Sequence, residues 1–172
     1  MNFESFGKIP RLSRDVVVSE KIDGTNAQIL ITEGETSNPF AALIDNFFVH
    51  AGSRNRWLTP EDDNFGFAGW VSRNLEELAK LGPGRHFGEW WGAGIQRTYG
   101  LKEKRFSLFN TERWGGVNQV NRPQCCDVVP VLYRGPFDTT LIDTLIVLLK
   151  DQGSAAAPGF MKPEGIIVYH TA

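Results

Sequence analysis

The run Glu20-Lys21-Ile22-Asp23-Gly24-Thr25-Asn26 lies between two apolar stretches and decides the fold of the first part of the chain. Residues 16–21 before its turn read Val-Val-Val-Ser-Glu-Lys, and residues 27–31 after it read Ala-Gln-Ile-Leu-Ile. β-Branched and other apolar residues on either side of Asp-Gly are typical of strands joined by a tight turn. We therefore predict two strands that pair as a hairpin, with residues 23–26 as its polar tip.

Further strands are predicted wherever β-branched or aromatic residues are bounded by Gly, Pro or Asn. These segments are 46–51, 86–91, 105–109, 128–133 and 165–170. Most of the regular structure is therefore expected to be β.

Two segments show the apolar spacing of helices. The first carries Phe67, Val71, Leu75 and Leu78 on one face, with Asn64 as its expected N-cap and Gly82-Pro83 as its stop. The second runs from about Asp138 to Gln152 and is ended by Gly153. Strands mixed with two helices predict an α+β fold.

Length and composition predict one domain over residues 1–172, since 172 residues is the size of an ordinary domain and 41% hydrophobic residues can form a core. The formal charge of −2 means that a nucleic acid would have to bind a local basic surface. The candidates for such a surface are Arg11/Arg14, Arg54/Arg56 and Lys102/Lys104/Arg105.

The two cysteines, Cys125 and Cys126, are adjacent, which fits neither a disulfide framework nor a spaced zinc site. We expect a reducing, cytoplasmic setting. The N-terminal residues lack the apolar core of a signal peptide, and the most apolar later stretch, Leu141 to Leu149, is interrupted by Asp143. No association with a membrane is expected.

Lys21 is the candidate nucleophile because it ends an apolar strand beside a turn. Partial desolvation there favours the neutral amine, which can attack, whereas the carboxylates of Glu20 and Asp23 favour the ammonium form. A lone Lys-x-Asp-Gly is weak evidence, and Asp23-Gly24 also fits simple turn chemistry.

The motifs that accompany Lys21 make the pattern specific. Residues 20–26 resemble the first motif of the covalent nucleotidyltransferases, and the longer form Glu-Lys-Ile-Asp-Gly-Thr-Asn is similar to the RNA ligase branch of phage double-strand-repair and kinetoplastid editing ligases. In the family's order follow counterparts of its arginine-bearing, third, aromatic-bearing and fourth motifs: Gly52-Ser53-Arg54, Phe87-Gly88-Glu89, Arg105 to Asn110, and Glu164 to Val168.

The resemblance implies a role for each matching residue. Lys21 would attack the α-phosphate of ATP, giving a lysyl-AMP, and Glu20 would accept a hydrogen bond from the adenine amino group. Glu89 would hold the ribose hydroxyls, and Asn26 would help orient the nucleotide phosphates. Arg54 would contact phosphate or the incoming 5′ end. Phe106 would stack on the adenine, with Phe109 as the alternative because the two side chains lie on opposite faces of a strand. Glu164 would act near a magnesium ion, Mg2+, through water.

Simpler structural roles remain open for several of these residues. Phe106 and Phe109 also fit packing in the core. Glu89 and Glu164 also fit polar strand positions that face solvent. The segment from Trp90 to Arg97 fits either contact with a nucleic-acid end or core packing.

The resemblance implies an α+β, ATP-grasp-like nucleotidyltransferase domain, in which antiparallel sheets flanked by helices enclose a nucleotide cleft. It favours an ATP-dependent RNA ligase that joins 5′-phosphate and 3′-OH ends of a nucleic acid. The two alternatives are an mRNA-capping-type guanylyltransferase and a catalytically weak module that binds nucleotides or nucleic-acid ends.

 Both alternatives stay open at the level of the sequence, although the residues around Lys21 favour RNA ligation and adenine.

The family's fifth motif, a strand with two lysines one residue apart, is expected about a dozen residues after the fourth motif and is not found before Ala172. In relatives these lysines hold the triphosphate. We expect one of three explanations. The chain is truncated, or Lys162 or a partner replaces the missing lysines, or the protein binds nucleotide without completing the reaction.

Overall fold

The computed structural model describes residues 14–34, 41–116 and 122–171. In this part of the chain the elements are, in order, β1 (Asp15–Lys21), β2 (Thr25–Glu33), β3 (Ala42–Ile44), β4 (Phe47–Ser53), α1 (Phe67–Arg73), α2 (Leu75–Ala79), β5 (Gly84–Gly92), β6 (Lys104–Leu108), α3 (Thr111–Trp114), β7 (Cys126–Val128), β8 (Val131–Pro136), α4 (Thr139–Gln152) and β9 (Gly165–His170). Arg11, one of the basic candidates, lies outside the described residues.

The strands form two sheets, which confirms the predicted α+β fold. The smaller sheet has the order β8-β1-β9, and the larger has the order β3-β4-β2-β5-β6-β7. All neighbouring strands are antiparallel except β6 and β7, which are parallel. The larger sheet is therefore mixed at this one pair.

The predicted hairpin between the first two strands is wrong, because β1 and β2 belong to different sheets. β1 pairs with β8 and β9, whereas β2 pairs with β4 and β5. Residues 22–24 carry the chain from one sheet to the other. We call these three residues the crossover.

Two other predicted elements are divided in the structure. The predicted helix with Leu75 and Leu78 is two short helices, because Asn74 leaves helical geometry with φ −120° and ψ 21°. Asn64 does not cap α1 with its side chain; the carboxylate of Asp63 accepts the N–H groups of Ala68 and Gly69 instead.

The predicted strand 128–133 is interrupted at Val129 and Pro130, which separate β7 from β8. Proline has no N–H to donate to a sheet. The carbonyl of Pro130 still accepts from Glu20 N–H at 2.9 Å. The two halves therefore join different sheets, as β1 and β2 do.

Helix α4 is confirmed within one residue of the predicted start. Asp138 caps it by accepting from the N–H groups of Thr140 and Leu141, and Gly153 ends it with φ 82°. Its buried residue Leu145 packs with Val16 and Val18 of the smaller sheet. In the described part of the chain no helix is long and apolar enough to cross a membrane.

Three clusters of buried side chains hold these layers together. The largest lies between the six-stranded sheet and helices α1 and α2, and another lies between α4 and the smaller sheet. The third surrounds the crossover and contains Ile22, Trp91, Tyr99, Val129 and Ala157. The crossover is therefore anchored in its own core.

Gly24 is the position where the crossover passes closest to another strand. A Cβ atom there would lie 2.4 Å from the Trp90 carbonyl oxygen and 2.7 Å from Trp91 Cβ. Both atoms belong to β5, whose position is fixed by its two neighbouring strands. Glycine is therefore required at residue 24 for the backbone to approach β5.

We predict that Gly24→Ala lowers the free energy of unfolding by about 1 to 3 kcal/mol, because the added methyl must displace backbone atoms. Thermal unfolding of the variant beside the original protein measures this loss. Gly69→Ala in α1 is the control, since its Cβ would meet only side-chain atoms, the flexible end of Arg73 at 3.3 Å and Asp63 Oδ2 at 3.8 Å. A gain of about 0.5 to 1 kcal/mol is expected for the control, and equal stabilities of the two variants would contradict the steric account.

Candidate functional site

A cleft of about 1460 Å³ is lined by residues of both sheets. The smaller sheet and the segment before β9 contribute Lys21 and Glu164, and the larger sheet contributes Asn26 and Glu89. Pockets for small molecules typically measure roughly 300 to 1,000 Å³. The cleft therefore has room for a nucleotide together with part of a larger ligand.

Lys21 and Glu164 form an ion pair at the end of the smaller sheet. The antiparallel register of β1 and β9 pairs Lys21 with Gly165, which places the preceding residue, Glu164, beside the ammonium group. The Lys21 side chain is 44% exposed and that of Glu164 is 25% exposed. The amine is thus held in position while its atoms remain open to the cleft.

Glu89 joins the larger sheet to the crossover. Its Oε1 accepts from the Gly24 N–H and its Oε2 accepts from Asn26 Nδ2, each at 3.0 Å. The register of β2 and β5 places Asn26 directly opposite Glu89. Although a simple solvent-facing role was open for Glu89, the side chain is only 7% exposed. We call Glu89 with its two donors the carboxylate clamp.

Burial raises the pKa of Glu89 to about 7. The hydrogen bonds from Asn26 and Gly24 and the charge of Lys21 oppose this shift, and the charge of Glu164 adds to it. Loss of hydration is therefore the dominant effect on this carboxyl group.

Tyr99 and Arg97 also hold the crossover, and neither contact was predicted from the sequence. The hydroxyl oxygen of Tyr99 accepts from the Asp23 N–H at 2.7 Å, and Arg97 Nε donates to Asp23 Oδ2 at 2.8 Å. Burial raises the pKa of Tyr99 to about 12, so that the hydroxyl keeps its proton at neutral pH. Because more than 70 residues separate these partners, a local motif cannot reveal them.

Glu20 is buried, with 1% of its surface exposed, and both oxygens are already hydrogen-bonded. Oε1 accepts from Ser154 Oγ at 2.6 Å, and Oε2 accepts from the Ala156 N–H at 2.9 Å. The carboxylate thus holds the loop after α4 against the end of β1. A contact between Glu20 and adenine stays a prediction, and it requires exchange of one of these bonds.

The assignment of Phe106 as a stacking residue is wrong. Phe106 is 0% exposed and packs against Phe67 and Trp70, with ring centroids 5.2 and 5.7 Å away. Phe109, the alternative, is 42% exposed and lines the cleft. The two rings lie on opposite sides of the sheet, and the choice between them depended on which side faced the cleft.

The tryptophans of the segment from Trp90 to Arg97 are core residues. Trp90 and Trp91 are 2% and 1% exposed. Trp90 Nε1 donates to the Phe65 carbonyl at 3.1 Å, and Trp91 Nε1 donates to Ser107 Oγ at 2.9 Å. These two rings are therefore unavailable for stacking on a nucleic-acid end.

Arg54 is exposed and lines the cleft, as its predicted role with phosphate requires. Two of the other basic candidates are neutralised, because Arg56 pairs with Asp62 at 2.7 Å and Arg105 pairs with Glu103 at 2.5 Å. In the described residues no group of three or more His, Cys, Asp or Glu side chains is arranged to hold a metal ion. The described residues therefore contain no site that would bind a metal through three or more of these side chains.

Comparison with known proteins gives a family match over most of the chain. The family model described as RNA ligase matches residues 14–172. Among curated proteins none shows a significant match.

The fold is similar to that of an RNA ligase from Naegleria gruberi. A mutant of that protein without ligand aligns with a TM-score of 0.61 and 22% identity, over 92% of this chain and 47% of the other. A mutant with ATP and Mn has a TM-score of 0.62 and 22% identity over the same shares. A mutant with AMP and Mn has a TM-score of 0.61 and 21% identity, again over 92% and 47%. This chain therefore spans about half the length of these structures, and at this identity the likeness shows the fold.

We predict that Glu89 makes folding stability fall as pH rises from its ordinary pKa of 4.5 to about 7. In this window the folded chain retains a proton that the unfolded chain has lost, so that the unfolded state gains relative stability. Below 4.5 and above about 7 the contribution is constant. Glu89→Gln removes the titration, and the stability of the variant relative to the original should therefore increase across this window.

Thermal unfolding at about pH 5 and about pH 8 measures the effect of this linkage. Glu76→Gln, which removes an exposed carboxylate on α2, is the control for the loss of one negative charge. The same difference in stability between Glu89→Gln and the original protein at both pH values would contradict the raised pKa.

Proposed function

This chain belongs to the RNA ligase family, and we propose that it is an ATP-dependent ligase that forms a covalent lysyl-AMP on Lys21. The observation that carries the proposal is the convergence of Lys21, Glu164, Asn26 and Glu89 at one end of a cleft between two sheets. Each of these residues comes from a different strand or loop, so that their proximity is a product of the fold. The similar structures with bound ATP or AMP support the choice of adenine nucleotide.

In the first step, Lys21 Nζ attacks the α-phosphate of ATP. A nitrogen–phosphorus bond forms, the bond from the α-phosphorus to the bridging oxygen breaks, and pyrophosphate leaves. Attack requires the neutral amine, so that the proton on Nζ must depart first. The Glu164 carboxylate contacts Nζ and is positioned to receive this proton.

The carboxylate clamp orients the nucleoside in this proposal. Glu89 is placed to accept from the ribose hydroxyls, and Asn26 lies beside it to contact phosphate oxygens. Phe109 offers an exposed ring on the same cleft for stacking on adenine. Arg54 presents a planar charged group to a phosphate.

The residues present fit Mg2+ held jointly with the nucleotide. Magnesium usually keeps several waters and binds one or two carboxylates plus substrate phosphates. Glu164 supplies one such carboxylate at the nucleophile, and the described chain offers no larger cluster. The ion would neutralise charge on the phosphates. Glu164 would bind near the ion, and Arg54 would contact a phosphate.

In the later steps the AMP passes from Lys21 to the 5′-phosphate of a polynucleotide, and a 3′-OH then displaces it to seal the strand. The partner we propose is RNA with these two ends. The volume of the whole cleft, about 1460 Å³, supports binding of a strand end beside the nucleotide.

We predict that Lys21→Ala and Lys21→Arg both abolish the AMP adduct. The guanidinium of arginine stays protonated and cannot act as the nucleophile. Intact-mass measurement after incubation with ATP and Mg2+ reads the adduct directly. Lys150→Arg, an exposed substitution on α4, is the control and should retain it. An adduct on either Lys21 variant would show that another residue is the nucleophile.

We predict that Phe109→Ala weakens ATP binding roughly 2- to 12-fold, because one stacking contact is lost. Phe106→Leu should instead lower the unfolding temperature, since Phe106 is a core residue, and leave the ATP affinity of the folded protein unchanged. Calorimetric titration and thermal unfolding of both variants separate the two effects. Weaker ATP binding by Phe106→Leu, with normal binding by Phe109→Ala, would return the stacking role to Phe106.

A further inference from the structure

The cleft extends along β5, away from Lys21, over side chains that the adenylylation step does not use. Arg85 and Phe87 alternate with Glu89 along this strand, and all three line the cleft. Phe87 is 51% exposed, a high value for a phenylalanine within a sheet. The Arg85 guanidinium carbon lies 5.6 Å above the centre of the Trp57 ring. We call Arg85, Phe87 and Trp57 the β5 platform.

Packing holds the platform in a fixed arrangement. Arg85 donates to Gln28 Oε1, which comes from the neighbouring strand β2. Trp57 forms an isolated bridge with Gly52 and packs on the buried His50, with ring centroids 5.5 Å apart. The guanidinium plane thus has support on one side, and its other donors remain open to a ligand.

Arg54 and Arg85 are both exposed and both line the cleft. In the described part of the chain, neither Arg54 nor Arg85 has a carboxylate within ion-pair distance. Ion pairs do form at Arg56, Arg97, Arg105 and Arg134. Arg113 also lines the cleft, but its guanidinium donates to the Leu81 carbonyl. Since the chain as a whole carries a charge of −2, two arginines without acidic partners beside one cleft form a local site for anions.

We propose that the β5 platform binds single-stranded polynucleotide next to the reactive end, with a base on Phe87 and a backbone phosphate at Arg85. The proposal rests on the proposed function, because it assigns the strand path leading to that site. Aromatic and guanidinium planes combined with positive charge are the features that bind unpaired nucleic acid.

The spacing separates this platform from the nucleotide. Arg85 lies four residues from Glu89 along β5, which corresponds to roughly 13 Å at the usual rise of a strand. A nucleoside held by the clamp does not reach that far. Arg85 is therefore placed for a nucleotide further along the strand, and its loss should leave the reaction with ATP intact.

The exposed ring favours a single strand over a duplex. A base stacks on a side chain only when it is free of its own neighbours, as in loops, overhangs and single strands. In a continuous duplex the bases are occupied by one another, and Phe87 would meet the sugar-phosphate backbone.

The test measures binding of a 5′-phosphorylated RNA of about a dozen nucleotides, labelled at its 3′ end, by fluorescence anisotropy at several salt concentrations. Phe87→Ala should weaken binding roughly 5-fold or more through lost stacking, and Phe87→Tyr should restore it. Arg85→Gln should reduce the slope of log Kd against log salt by about 0.7, the value for one phosphate contact on a single strand. Arg73→Gln, which removes an exposed charge on α1, is the matched control and should leave binding unchanged.

Adenylylation by ATP is measured in parallel on Arg85→Gln and should be retained. If Phe87→Ala and Arg85→Gln bind RNA as tightly as Arg73→Gln and adduct formation is normal, the platform is overturned. The proposed function then stands. RNA binding that depends on both residues, in a protein that forms no adduct, would support the platform and refute the lysyl-AMP mechanism. If Phe87→Ala and Arg85→Gln lose as much affinity for a blunt duplex of the same sequence, the assignment to single strands is overturned.

Discussion

The structure depends on a buried carboxylate at the place where the chain passes between its two sheets. Glu89 lies on the larger sheet, and its oxygens hold Gly24 of the crossover and Asn26 of the first strand beyond it. Since the side chain is almost wholly buried, an oxygen without its donor would leave a polar atom unpaired at a cost of about 1 to 3 kcal/mol. This requirement fixes the crossover against β5, and the crossover in turn fixes the end of β1, where Lys21 lies.

The same short segment satisfies several further constraints. Gly24 must lack a side chain because of Trp90 and Trp91, and Asp23 is held by Tyr99 and Arg97. Lys21 thereby reaches the cleft from a rigid strand end, with Glu164 beside it. A nucleophile and its orienting groups gain from such positioning because little motion is then needed to reach the reactive geometry.

Sequence reasoning was most successful where local residue patterns and end signals determine an element. It predicted β9 at residues 165–170, helix α4 with its Gly153 stop, and the α+β class. It also selected Lys21, Asn26, Glu89 and Glu164, which the structure brings to one cleft. The order of the motifs identified these four residues. Each motif lies at or near a strand, and the four residues meet at the cleft.

The errors share a different physical origin. Asp23-Gly24 has the chemistry of a hairpin turn, and only the pairing of β1 with β8 and β9 shows that it connects two sheets. The choice of stacking residue depended on which face of β6 packs against the core. Alternation of side chains shows that a strand has two faces, but it does not show which face is buried. The contacts of Tyr99 and Ser154 link residues far apart in sequence. Partners at that separation are set by tertiary packing.

The most direct test of the account is to map the modified residue after the protein has been incubated with ATP and, separately, with GTP, each with Mg2+. Peptide mass mapping should find AMP on Lys21 after ATP and no nucleotide adduct after GTP. An adduct on another side chain, a GMP adduct, or no adduct with ATP at full occupancy of the cleft would contradict the assignment of Lys21 as the nucleophile of an adenylyl-transferring ligase.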